Sequence, residues 1–201
     1  MLVDRGVVAG NVTDKYRLKN PVARYLMDGF LRTVSEAYLR TGAGEVLEVG
    51  CGEGELAAHL RAQRAAEFYG VDISPKVIDI AREVVPEMHL AVQSATDVGF
   101  PDRRFDLVMC CEVLEHLPDP RPALRELSRL SRRHVIVSVP REPIWRVLNM
   151  ARGSYLSDFG NTPGHLQHWS TRAFTRFIAS ELEVKRVWTP LPWTVIAAEV
   201  R

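Results

Sequence analysis

Cysteine is scarce: three residues in 201, with Cys110 and Cys111 adjacent and no CxxC pair. That count excludes a disulfide framework and a thiolate zinc site, and it fits a reducing compartment, so the chain is expected to be cytoplasmic. Long apolar runs are also missing. No stretch approaches the ~18 apolar residues of a membrane span. The opening "MLVDRGVVAGNV" carries Asp4 and lacks the apolar centre of a signal peptide. Net charge is nearly absent: 26 Lys and Arg stand against 25 Asp and Glu, giving +1. Nothing global therefore draws the chain to nucleic acid or an anionic surface. One local exception runs from Arg121 to Arg152, with eight arginines against Glu126 and Glu142. It reads either as a solvated helix face or as a face for a phosphate-bearing partner.

What is present is a steady alternation of strand-like and helix-like segments. A helix is expected after Asn20, with Pro21 at its first position, Gly42 as its stop, and Val22, Leu26, Phe30, Val34 and Tyr38 near helical period. "EVLEVG", "EFYGVDI", "MHLAVQS", "FDLVMCC" and "HVIVSVP" read as strands, separated by the helical runs "ELAAHLRAQRA", "SPKVIDIAREVVP" and "DPRPALRELSRLS". After an irregular stretch, "STRAFTRFIASE" reads as a capped helix, and "LEVKRVWTP" with "WTVIAAEV" as a closing antiparallel pair. The pattern predicts an α/β, doubly wound, mostly parallel sheet with helices on both faces. The length suits one domain over 1–201, divided into an N-terminal helical cap (1–43), a core (44–140), a lid (141–169) and a last helix with the strand pair (170–201).

"LEVGCGEGEL" sets Gly50, Gly52 and Gly54 two residues apart between a strand and a helix. Glycine permits a sharp turn and a close ligand approach, and the helix start offers N–H donors. Asp72 ends the next strand, 18 residues beyond Gly54, where a doubly wound sheet brings it within reach of ribose hydroxyls. A dinucleotide fold is the rival, but G-x-G-x-x-G needs its third glycine one residue later. Glu48, just before the loop, suits a ligand carrying an amino group better than a pyrophosphate.

"EVLEVGCGEGEL", "YGVDIS", "SATDVGFPDRRFDLVMCCEVLEHL" and "HVIVSVP", in this order, resemble the class I S-adenosylmethionine-dependent methyltransferases. The resemblance covers roughly residues 44–200. It implies a Rossmann-like, seven-stranded sheet whose last strand inserts antiparallel, with S-adenosyl-L-methionine above the carboxyl ends of the strands. It implies that Glu48, Gly50 and Gly52 line the methionine end, with Cys51 and Gly54 also among the cofactor-binding residues. Asp72 would bind the ribose hydroxyls, Ile73 would lie beside the adenine, and Cys111 beneath the cofactor. Ser94 stands where many relatives carry an acid, so Ser94 and the Ala95 N–H are the expected adenine contacts. Tyr16 or Asn20 would reach the methionine carboxylate or the substrate, or simply serve capping and packing.

The acceptor side rests on "CCEVLEHLPDP" and "NTPGHLQHWS". On one helical turn Glu112, Glu115 and His116 share a face. His116 is a candidate base, a ligand, or a pocket wall; His165 and His168 are further catalytic candidates. The set resembles two metal-using branches, the small-RNA 2'-O-methyltransferases and the ubiquinone-pathway O-methyltransferases. There a Glu-x-x-Glu-His stretch and a later histidine hold a divalent ion. By that resemblance Glu112, Glu115, His116 and His165 would bind Mg²⁺, Mn²⁺ or Zn²⁺, with His168 as the alternative histidine. Otherwise the acids merely begin a helix. Arg141, Trp145 and Arg146 are a candidate acceptor wall.

The expected activity is O-methylation of a small-molecule or saccharide acceptor. The alternatives are RNA 2'-O-methylation, with RNA as partner, and a non-catalytic cofactor-binding protein.

Overall fold

The computed structural model describes the backbone of Leu2–Asp4 and Val7–Ala9, and residues 20–151 and 153–201. Tyr16, expected at the cofactor, lies outside the described residues. Strands β1 (Leu2–Asp4) and β2 (Val7–Ala9) form an antiparallel pair apart from the main sheet.

Helix α1 (Pro21–Thr41) begins where the Asn20 side chain accepts from the Val22 and Ala23 N–H groups, and ends at left-handed Gly42. It is followed by β3 (Glu45–Val49), α2 (Glu55–Arg61), β4 (Glu67–Asp72), α3 (Pro75–Val84), β5 (His89–Val92) and β6 (Phe105–Cys111). Then come α4 (Arg121–Leu130), β7 (Ser131–Pro140), α5 (Ile144–Ala151), α6 (Thr171–Ile178), β8 (Leu182–Trp188) and β9 (Trp193–Val200). The main sheet has seven strands in the order β5-β4-β3-β6-β7-β9-β8. β3 to β7 run parallel, and β9 is antiparallel to both its neighbours. The sequence predicted this arrangement.

Alternation along the central strands fills both faces. Val46, Leu107, Met109 and Cys111 pack with Phe30 and Val34 of α1, Leu56 of α2 and Ile78 of α3. Leu47, Val49, Val108 and Cys110 pack with Leu124 and Leu127 of α4 and Phe174 of α6. The order in which strands are added reverses between β3 and β6, which themselves run parallel. The crevice at their carboxyl ends is where such a sheet binds ligands.

Two local expectations change. The stretch 141–169 contains α5, which the sequence hid because "IWRVLNMA" follows Pro143 with no Ser, Thr, Asp or Asn just before it and leaves Val147 and Met150 exposed. Glu112, Glu115 and His116 do not share a helical turn. Glu112 takes φ +61° at the strand end, and only Leu114–His116 forms a 3₁₀ turn.

The arginine-rich segment resolves into ion pairs. Arg129 meets Asp102 and Glu126, Arg132 meets Glu45 and Asp106, and Arg133 meets Glu199. Glu45 opens β3, so Arg132 sits at the end of the sheet opposite the crevice. These three arginines form a solvated face, and such exposed pairs add little stability. No helix among the described residues is long and apolar enough to cross a membrane.

Candidate active site

The glycine loop turns because three successive alternate residues hold positive φ: Gly50 at +75°, Gly52 at +54° and Gly54 at +79°. Gly50 and Cys51 donate their N–H groups to the Val71 carbonyl, which ties the loop to β4. A Cβ on Gly50 would lie 2.2 Å from Val113 Cγ2, whereas one on Gly52 would meet nothing within 4 Å. Gly54 has a different task. Its missing side chain lets Val85 approach, and it does not line the cavity. Asp72 Oδ2 accepts from Gly52 N at 3.1 Å and Oδ1 from Ser74 N at 3.0 Å, so one carboxylate fixes both loops.

The crevice is a cavity of about 920 Å³. One end is lined by Glu48, Gly50, Cys51, Gly52, Asp72 and Ile73, with Ser94, Ala95 and Cys111 alongside. Ser94 Oγ lies 2.9 Å from Thr96 Oγ1. The thiols of Cys51, Cys110 and Cys111 are buried and pushed up by burial, so they are held as neutral thiols rather than nucleophiles.

Glu48 is buried, and its Oε2 has no hydrogen-bond partner among the described residues. Burial, with the Asp72 charge adding, pushes its carboxyl from the usual 4.5 to about 8. Burial raises Asp72 too, opposed by N–H bonds from Ser74 and Gly52. Glu48 sets a pH dependence. Between pH 4.5 and about 8 the folded chain keeps a proton that the unfolded chain releases. Stability is therefore fullest below pH 4.5 for this group and falls as pH rises towards 8. The slope approaches about 1.4 kcal/mol per pH unit. Thermal or urea unfolding of ligand-free protein should show Glu48→Gln gaining a few kcal/mol over the parent by pH 8, with little difference near pH 4.5. Parallel curves for the two proteins would refute the assignment.

At the other end, two strands of chain are stapled together. Leu166 N and Gln167 N donate to the Glu115 carbonyl at 2.8 and 3.0 Å. Gln167 Nε2 donates to the Leu117 and Pro118 carbonyls. His116 Nδ1 lies 2.9 Å from the Gly164 carbonyl. A carbonyl only accepts, so Nδ1 carries a proton and Nε2 holds the lone pair of the neutral ring. The staples bring His165 to Glu115 and His116, whose ligand atoms all lie within 4.8 Å of one another. The His116 and His165 rings meet edge-on at 5.0 Å, and Trp145 stacks on His165 at 5.8 Å.

Glu112 is not one of this trio. The turn at positive φ sends its carboxylate to Ser138 Oγ at 3.1 Å and Trp193 Nε1 at 2.7 Å. Trp193 in turn touches Trp145 at 5.7 Å and Phe30 at 4.9 Å, completing an aromatic wall. His168 also stands apart: its Nδ1 is 3.6 Å from Glu142 Oε1, and it does not line the cavity. Of the expected acceptor wall only Trp145 lines the cavity. Arg146 instead donates to the Phe159 and Asp158 carbonyls. Sequence reasoning missed Trp193, Asn149 and Thr162, all cavity-lining. Their placement depends on contacts far along the chain, and no local motif marks them.

Residues 47–139 match the family described as a methyltransferase domain. In motif order and in fold the chain resembles the class I S-adenosylmethionine-dependent methyltransferases. Over 148 residues it is 32% identical to a ubiquinone biosynthesis O-methyltransferase of Alkalilimnicola ehrlichii, covering 64% of this chain and 59% of the relative. Over 92 residues it is 35% identical to a probable chloroplastic tocopherol O-methyltransferase of Oryza sativa subsp. japonica, covering 43% of this chain and 25% of that one. The chain thus spans less than two thirds of the length of these curated relatives. Among solved structures, magnesium protoporphyrin IX methyltransferase from Synechocystis, with bound SAH, shares the fold at a TM-score of 0.68 and 21% identity, covering 92% of this chain and 89% of that one. A SAM-dependent methyltransferase from Aquifex aeolicus does so at 0.70 and 17%, covering 92% and 96%.

Proposed function

We propose that the protein is an O-methyltransferase that transfers a methyl group from S-adenosylmethionine to a hydroxyl of a small molecule. The observation carrying this reading is that one cavity joins the Glu48–glycine–Asp72 end to His116 and His165, with the buried Glu115 just behind its lining. The cofactor fits on the chain's own features. Gly52 leaves open space where a Cβ would stand, and Glu48 presents a buried carboxyl oxygen lacking a hydrogen-bond partner among the described residues. S-adenosylmethionine supplies an already activated methyl on a sulfonium. In this reading Glu48 receives its ammonium group and Asp72 its ribose hydroxyls, with Ile73, Ser94 and Ala95 around the adenine and Cys111 beneath. Gly54 supports the loop from behind.

The acceptor hydroxyl belongs against His116 and His165, between the aromatic rings. His116 Nε2 is oriented by the Nδ1–H bond to Gly164 and can take the hydroxyl proton. Glu115, His116 and His165 are also a carboxylate and two imidazoles, a donor set suited to a divalent ion. Such an ion would lower the pKa of a coordinated hydroxyl. Glu112 falls outside that proposed set and instead positions Trp193. Helix α1 and the 141–169 stretch cover the cavity in this reading, within one domain, and the buried thiols suit a cytoplasmic setting.

The test uses purified protein before and after chelation. Calorimetry should show S-adenosylhomocysteine binding in both states, and labelled methyl should pass from S-adenosylmethionine to a panel of small phenols. Chelation should remove at least about nine tenths of the transfer, with Mg²⁺, Mn²⁺ or Zn²⁺ restoring it. Full activity after stripping assigns proton removal to His116 alone. Absence of S-adenosylhomocysteine binding would sink the reading altogether.

A further inference from the structure

Thr162 is 7% exposed and lines the cavity beside the acceptor end. Its Oγ1 receives Trp145 Nε1 at 2.9 Å and Asn149 Nδ2 at 3.2 Å. Indole N–H can only donate. The Asn149 amide is equally fixed, because the same Nδ2 lies 2.8 Å from the Gly160 carbonyl, which only accepts. Both lone pairs of the Thr162 oxygen are therefore occupied by donors. Its own O–H has one remaining use, to donate, and no hydrogen bond of that kind is made to any described residue.

Asn149 is itself 3% exposed, so this arrangement is built from buried groups rather than from a surface loop. The Thr162 carbonyl also receives His165 N at 3.1 Å, which places Thr162 one turn from the histidine. The neighbouring surfaces are flat: Trp145 stacks on His165, and Trp193 stands edge-on to Trp145.

We propose that Thr162 is an obligate hydrogen-bond donor to the methyl acceptor, selecting a planar molecule with a lone-pair oxygen, ether or carbonyl, beside the hydroxyl to be methylated. A second hydroxyl serves only through its lone pair, and a hydrocarbon substituent at that position leaves the buried O–H unsatisfied. This rests on the methyltransferase reading and specifies its substrate class.

The probes are 2-methoxyphenol and 2-ethylphenol, similar in size and differing in the ether oxygen. Their binding to the protein loaded with S-adenosylhomocysteine is measured by calorimetry. The parent should bind 2-methoxyphenol about five- to tenfold more tightly. Thr162→Ser should keep that ratio, while Thr162→Val and Thr162→Ala should bring it near one, with S-adenosylhomocysteine affinity unchanged as the check on folding. A parent ratio near one, or a ratio surviving in folded Thr162→Val or Thr162→Ala, overturns the proposal. So does binding of neither phenol by protein that still takes S-adenosylhomocysteine. Loss of S-adenosylhomocysteine binding by the parent would instead fell the methyltransferase reading. If both apolar variants fail to fold, the parent ratio and a lost preference in Thr162→Ser remain able to refute it.

Discussion

Replacing His165 by asparagine, or Glu115 by glutamine, is expected to lower kcat by about two to four orders of magnitude. S-adenosylhomocysteine affinity should stay within about twofold, because neither side chain lines the glycine-loop end of the cavity. The substitutions are chosen to spare the frame. Glu115 holds Leu166 and Gln167 through its backbone carbonyl, which glutamine retains. His165 likewise donates its turn bond to the Thr162 carbonyl through its backbone N–H. The contrast is His168→Asn, which should cost less than about threefold, since His168 faces Glu142 outside the cavity. Steady-state kinetics on any phenol that turns over decides it. If His168→Asn is as damaging as His165→Asn, the trio is misassigned.

The second large effect concerns the glycine loop, where two glycines two residues apart should fail in different ways. Gly50→Ala places a Cβ 2.2 Å from Val113 Cγ2 at a backbone φ of +75°. Overpacking costs about 1–3 kcal/mol, and the left-handed conformation adds about 1 kcal/mol or more. The variant should therefore melt well below the parent. Adding Val113→Ala should recover the steric part only. Gly52→Ala meets no neighbour within 4 Å, so its Cβ enters cavity space. Its melt should fall less, while S-adenosylhomocysteine affinity drops by at least about tenfold. Melting curves and calorimetry on the two single variants are sufficient. Equal melting losses with unchanged affinity for Gly52→Ala would remove the loop from the binding end.

The architecture was legible because its signals are local. Strand runs end on glycine or an acid, helices open with Asn20, Ser74 and Ser170, and Asp72 closes the strand beside the loop. The cavity-lining set at the cofactor end followed from the same logic, Gly54 apart. What stayed hidden depends on distant partners. Spacing made Glu112 look like a fourth ligand, yet its direction is decided by Ser138 and by Trp193, 81 residues away. His165 and His168 are equivalent in the sequence. They separate only because Gly164, Leu166 and Gln167 bond across 48 to 52 residues to the Glu115–His116 turn. Thr162 carries no motif at all, since its character comes from two donors on α5.

Those cross-chain bonds also decide which part of the molecule can give way. With 164–167 sewn to 115–118, the histidine end of the cavity is a floor built from two segments far apart in the chain. A hinge there would have to break the hydrogen bonds that orient His116 before any ligand entered. By contrast, Asn20 at the start of the first helix and Val22 and Leu26 within it line the same cavity without such cross-chain bonds to 115–118, and Val22 is largely solvent-facing. In the proposed reaction, the bond from His116 Nδ1 to the Gly164 carbonyl can then persist from one ligand to the next.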